Sequence, residues 1–439
     1  MYLGLIMTPL IHSRSVYLAI TFVLVATAAS WAESAPTFNK DIAPILQVKC
    51  QACHRPGQIG SMSLLTYEET RPWASAIRKE VSLKRMPPFH AAGPIGYWKD
   101  DLRLQASEIE TIVRWVDQGA VRGNPDDLPD PLGWTDSEWP LGEPDFVVEF
   151  PRQRVPANGR DLSMNLYSEY VFPEDTWLDA VQFDSRFNDT VHHAHIYMLP
   201  SGFEIPEKNK SRIVSVDIME FQPIYTWFPG LTVEPLPDGV GMLVEKGSRF
   251  AIVAHFGPRT DEIKKEQLRL GVYRSNGTMK RHPSGAGSLM TDLTVPPHAA
   301  NHIIRERSVI TEDAWITHFW AHMHYRGKSA EYRLHYEDGR SETIFHLPQY
   351  SFDWQRYYYL AEPKRVPAGT ELEIIAAWDN SEGNPLNPDP TQTLIWGPRT
   401  VDEMFGGGIK YTPVAELAEP IVVKDGVPVT DPSAQSAVK

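Results

Sequence analysis

The chain has 439 residues, 42% apolar and 22% charged, which excludes a disordered, collagen-like or multi-span membrane protein and leaves room for two or three folded domains. Lys and Arg number 42 against 56 Asp and Glu; with a net charge of −14 and no long basic cluster, nucleic acid is excluded as a partner. Cys50 and Cys53 are the only cysteines, so there is no disulfide framework, four-cysteine zinc site or cysteine-ligated copper elsewhere, and 37 prolines favour strands and loops over long helices.

Arg14 is the one charged residue before Glu33, and residues 16–29 form an apolar run too short for a comfortable transmembrane span. Ser30-Trp31-Ala32 then places small residues at the −3 and −1 positions of a signal-peptidase site. Residues 1–32 read as a cleaved secretory signal, with an uncleaved anchor as the alternative. The mature chain is expected in the periplasm or otherwise exported, with no stable membrane insertion after cleavage.

Cys50-Gln51-Ala52-Cys53-His54 is the attachment pattern of a c-type haem: two thiols bond the vinyl groups and the adjoining imidazole ligates iron. A thioredoxin-like dithiol needs a preceding strand and a βαβ unit, whereas residues 38–49 read as a short helix with Ile42, Ile45 and Leu46 on one face. Met86, followed by two prolines, is the expected distal ligand, with His90 as its rival. Ser107 to Glu110 reads as a capping box opening a helix that carries Ile109, Ile112, Val113 and Val116. This small all-α region resembles a class I cytochrome c over residues 37–122.

Residues 123–141 form a Pro/Asp-rich linker, and beyond it the period changes. Runs at 177–183, 191–199, 249–256, 268–273, 315–325, 330–336 and 371–378 are rich in β-branched and aromatic residues, predicting an all-β region. The Pro/Gly/Ser-containing stretch at 282–297 divides it into halves of jelly-roll size, 142–285 and 286–420, with 421–439 as a tail.

Histidines fall within these strand runs. His322 and His324, two apart, share a strand face and suit chelation of one metal. His192, His193 and His195 lie on another run; alternation pairs His193 with His195 and turns His192 away unless a bulge re-aims it. His255 stands on a third strand, and His318 is a further candidate beside the His322 pair. Imidazoles without thiolate suit zinc, copper or iron, and the absence of HExxH argues against a zinc metalloprotease.

The run from His322 to Lys328 (HMHYRGK), His192-His193, Ala254-His255-Phe256-Gly257 and the run from Thr400 to Met404 (TVDEM) are similar, in order and spacing, to the motifs of the copper type II ascorbate-dependent monooxygenases. That family includes peptidylglycine alpha-hydroxylating monooxygenase and dopamine beta-monooxygenase. The resemblance spans residues 142–415, and the whole chain looks like the bacterial form with an N-terminal cytochrome c. It implies tandem antiparallel jelly rolls and two copper ions: His192, His193 and His255 for an electron-transfer copper, and His322, His324 and Met404 for the copper at which O2 attacks a substrate C–H bond. Trp320 stands where the peptide enzyme has a carboxylate-binding arginine, so a C-terminal glycine peptide is not the expected substrate.

The expectation is therefore an exported copper-dependent monooxygenase acting on a small organic molecule, with one covalent haem c relaying electrons from a periplasmic donor. The alternative is a periplasmic haem/copper electron-transfer or copper-binding protein without hydroxylase activity.

Overall fold

Ile42 and Leu46, four residues apart, place two apolar side chains on one face, and the chain winds there as a π turn, Phe38–Ile42, running into an α-helix, Ala43–Lys49. The computed structural model describes residues 35–429 apart from 135–138, 156, 158–161, 186–189, 206–217, 219–220, 222, 229–232, 257–262 and 398. The expected signal segment lies outside these residues, and no helix among the described ones is long and apolar enough to cross a membrane.

Helices Tyr67–Thr70, Ala74–Ser82 and Ala106–Asp117 complete a small helical region whose core holds Phe38, Leu46, Ile77, Val81, Ile112 and Trp115. The first and last helices meet where the rings of Phe38 and Trp115 lie 6.1 Å apart. The last helix starts earlier than its expected capping box. Gln105, in extended conformation, is the cap, and its N–H donates to Glu108 Oε2 at 2.6 Å, so Glu108 takes the role assigned to Glu110.

The rest is antiparallel sheet in two halves. In the first, one sheet runs Phe146–Glu149, Leu268–Arg274, Thr176–Ser185, Met242–Val244, and a second runs Leu162–Tyr167, Arg249–Phe256, Val191–Leu199, Tyr225–Trp227. Both face one core, where Phe183 and Leu270 of the first sheet join Ile196 and Phe250 of the second. In the second half, Ser284–Leu289, Phe405–Pro413, Ala314–Met323 and Tyr358–Val366 form one sheet. His302–Val309, Glu371–Trp378, Gly327–His335 and Ser341–Leu347 form the other. Their common core includes Phe319, Ile409, Tyr332, Phe345 and Trp378, each such side chain worth about 1.5–3 kcal/mol of transfer free energy.

Two connections depart from the expected boundaries. Phe89, Ala91 and Trp98, within the sequence range assigned to the helical region, are buried in the core of the second β half. Backbone bonds hold them there, Ala92 N–H to His346 O at 2.8 Å and Lys99 N–H to Tyr359 O at 2.8 Å, so the helical region is stapled to that half. At the other end, Ile421–Lys424 pairs with Gly277–Met279 and with Val427–Pro428, and Val423 packs on Trp177 and Met279. Residues 421–429 thus belong to the folded part of the chain.

Candidate metal centre and haem cavity

The Val191–Leu199 strand brings three histidines to one place because its ladder is interrupted. Val191 pairs with Phe256, yet the next pair is His193 with His255, so His192 is the extra residue of a bulge. The bulge re-aims His192 to the side on which His193 and His255 lie. Its ring centroid is 5.0 Å from that of His255, and its Nδ1 is 3.0 Å from Nδ1 of His193. Two nitrogens about 2.0–2.1 Å from a shared ion at a near-tetrahedral angle stand roughly 3.3 Å apart, so this spacing suits chelation.

From the facing half, His322 reaches the same space at the end of the Ala314–Met323 strand, with His324 just beyond it. His322 lies 5.9 Å from His193, 5.6 Å from His195 and 5.2 Å from His324, centroid to centroid. Ligand atoms of His192, His193 and His255 fall within 4.8 Å of one another, and so do those of His193, His195 and His322. The two groups share His193, so both cannot hold a metal with three histidines at once. His324 and the buried Met404 line the same cavity, of about 250 Å³, and offer His322 a different pair of partners.

Burial favours the neutral, metal-binding form of His193, His195, His322 and His324. It lowers His195 to about 3 and His322 to about 4, and it drives His193 and His324 well below the ordinary value, with neighbouring histidines adding to the shift. The protein also fixes their tautomers. His322 Nδ1 meets Gln355 Oε1, and His324 Nδ1 lies 3.3 Å from Asp402 O; an Nδ1–H donating to either oxygen leaves Nε2 as the lone pair. His195 Nδ1 is 3.0 Å from Thr226 Oγ1, which in turn is 3.0 Å from the hydroxyl of Tyr357. His318 stands apart, half-buried beside Tyr357 and Tyr359, with Nδ1 3.0 Å from Thr317 Oγ1.

Met404 is placed by a buried arginine. Arg326, 2% exposed, donates to Val401 O at 2.6 Å and to Asn387 Oδ1 at 2.9 Å, tying down the segment that leads into Met404. Glycines open the wall beside it. A Cβ on Gly408 would run into the Ala286 carbonyl and one on Gly287 into the Gly407 carbonyl, so the two strands approach closely only without side chains. Trp320 covers Gly406 from the neighbouring strand.

Cys50, Cys53, His54 and Met86 line a second cavity, of about 470 Å³, a size suited to a cofactor. His90 is not among its lining residues. Burial, helped by Cys53, pushes the Cys50 thiol up to about 12, and burial also raises Cys53. A redox dithiol needs the opposite shift, so these are poor thiolates and a poor thioredoxin-type pair. His54 Nδ1 lies 3.3 Å from Met62 O, so an Nδ1–H donating there leaves the lone pair on Nε2, and burial lowers its pKa.

The buried histidines make an acid-sensitivity prediction for the metal-free protein. His195, His318 and His322 have folded pKa values below the unfolded value, so the stability tied to them is complete above about pH 6.5 and is lost as pH falls. Each is expected to cost about 1 kcal/mol between about pH 6.5 and 5.5. Urea unfolding at the two pH values measures the loss; equal stabilities would contradict neutral burial.

Sequence reasoning found the six copper-ligand candidates and missed their supports, Gln355, Asp402 and Arg326. Arg326 sits inside the quoted HMHYRGK run but carries no signal of what it touches, and Gln355 belongs to a different segment altogether.

No family model matches this sequence, and no curated protein matches it. Among solved structures it is similar to the VP2 subviral particle of infectious bursal disease virus, at 9% identity and a TM-score of 0.17, covering 63% of this chain and 76% of that one. It is also similar to the cycloalternan-forming enzyme of Listeria monocytogenes, at 11% identity and a TM-score of 0.15, covering 57% and 20%. Likenesses this weak carry no argument about fold or function.

Proposed function

We propose that the chain is an exported copper- and haem-dependent monooxygenase of the copper type II ascorbate-dependent class, its β halves being that family's jelly rolls and its helical region a cytochrome c. The observation that carries this reading is the convergence of His192, His193 and His255 from one half with His322, His324 and Met404 from the other, next to a cavity lined by the CxxCH residues.

The donor chemistry fits the groups. Imidazoles, those of His322 and His324 with fixed tautomers, suit copper in both oxidation states, and a thioether beside two imidazoles favours Cu(I). His54 and Met86, on the wall of the cysteine-bearing cavity, would hold the iron of a covalent haem attached through Cys50 and Cys53. Bound there, copper and haem would supply one-electron transfer and oxygen activation at a C–H bond.

The chain's own residues do the rest. Gln355 and the Asp402 carbonyl hold His322 and His324 as Nδ1–H tautomers, and Arg326 holds the Met404 segment in place. Tyr197, Phe221, Val253, Leu289, Trp320 and Phe352 exclude water, and no Asp, Glu, Lys or Arg is among the described residues lining the cavity. A small neutral, apolar compound suits such a wall better than a carboxylate. Substrate-dependent O2 uptake with a hydroxylated product, screened over neutral hydrocarbons and aromatic compounds, tests the reading. Uptake absent from the fully loaded protein across that screen would favour the electron-transfer alternative.

Met86→His is expected to move the haem midpoint potential downward, by some part of the roughly 0.8 V over which axial ligands set it. Redox titration checks this; an unchanged potential and spectrum would place the distal ligand elsewhere.

A further inference from the structure

The cysteine-bearing cavity is not closed by the helical region alone. Its wall also takes in residues of the β halves, His192 and Phe228 of the first and Asp353, Gln355 and Arg356 of the second. His192 is therefore in two places at once. One ring lines this cavity and also contacts His193 and His255, where metal is expected. It is held flat against Phe352, 5.5 Å away at 20°, and its Nε2, buried without a hydrogen-bond partner, lies 3.7 Å from Asp353 Oδ1.

Arg356 supplies a second observation. Its guanidinium lies 4.9 Å from the Phe89 ring centroid and 5.9 Å from that of Tyr358, and no carboxylate forms an ion pair with it among the described residues. A cation on the wall of a cofactor-sized cavity that pairs with neither of the wall's carboxylates, Glu80 and Asp353, suits a carboxylate belonging to the ligand, and a haem carries two propionates.

Resting on the haem and copper reading above, we propose that His192 is the electron-entry residue, a single imidazole joining haem to the copper of the His192, His193 and His255 set, with Arg356 seating the haem through a propionate. In each event one electron leaves ferrous haem, which becomes ferric, and reduces one cupric ion to cuprous; an external one-electron donor restores the ferrous haem. The His322 set lies one step further on: His322, His324 and Met404 do not line this cavity, and His322 meets Gln355, which does. Tunnelling rates fall steeply with edge separation, so the first copper reduced is the one whose own ligand lines the haem cavity.

The experiment is flash photoreduction of the haem in the full-length, haem-containing, cupric protein without oxygen, following haem reoxidation by absorbance and copper content by elemental analysis. His255→Ala removes a ligand of the first set without touching the haem wall, and His322→Ala removes one of the second. Rapid reoxidation is expected to survive in His322→Ala and to be lost in His255→Ala. The reverse pattern, or equal rates in both variants, overturns the proposal while leaving the monooxygenase reading standing, whereas purified protein lacking haem or copper overturns both. Arg356→Gln, which keeps the cavity wall but removes the charge, is expected to lower the haem midpoint potential. An unchanged potential in a variant that retains its haem overturns the propionate pairing.

Discussion

Met404→Leu is expected to cut substrate-dependent O2 uptake by at least about a hundredfold, since merely disturbing the partners of metal ligands costs about 10- to 100-fold. Leucine conserves the volume at a buried site, so stability is expected to change by less than about 1.5 kcal/mol and the loss isolates the sulfur. Met404→Ala is the poorer test, because a cavity there costs about 2–5 kcal/mol by itself. Haem reduction and copper at the His192, His193 and His255 set are expected to persist in Met404→Leu. Full uptake in that variant would remove Met404 from the site.

Arg326→Leu is expected to be the most destabilising single change considered. Its buried guanidinium donates to Val401 O and Asn387 Oδ1, and leucine removes both bonds, leaving Asn387 Oδ1 with the Asp389 N–H alone. Two charge-assisted bonds at about 1.5–3 kcal/mol each give a loss of about 3–5 kcal/mol, measured by urea unfolding. The same variant is expected to bind one copper fewer, because the Val401 carbonyl is the hold on the segment that carries Met404. Arg326→Lys is expected to rescue little, since an ammonium cannot span two acceptors as the planar fork does. Near-normal stability in Arg326→Leu would mean that the segment is held by other contacts.

Much of the fold was legible where side-chain pattern and structure coincide. The runs at 191–199, 249–256 and 371–378 emerge with the expected bounds, because β-branched and aromatic residues on strands with a buried face leave the chain little choice. Phe405–Pro413 and Ser284–Leu289 were not recognised as strands, because their glycines carry no β propensity. What makes them pair is the close approach that the glycines permit, a property of two segments far apart in sequence. The insertion of Phe89 and Trp98 into the second β half was hidden for the same reason. Nothing local distinguishes a tryptophan buried in its own region from one buried in a neighbour.

The metal centre divides along the same line. Histidine spacing marked the candidate ligands, and alternation left His192 and His195 unresolved. The bulge between Val191 and His193 is what turns His192 toward His255, and a bulge of this kind has no sequence signature here. His195 reaches His322 as well, so the structure offers it as a neighbour of both sets.

The most direct measurement is the copper-to-haem-iron ratio of purified full-length protein, with haem attachment read from its pyridine haemochrome spectrum and copper sites from EPR. The account predicts one covalent haem and two coppers, reduced to one by His324→Ala and unaffected by His195→Ala. A ratio of one in the unaltered protein, with copper lost on changing His195 and retained on changing His324, would show that the His193, His195 and His322 group is the site and would contradict the two-copper assignment.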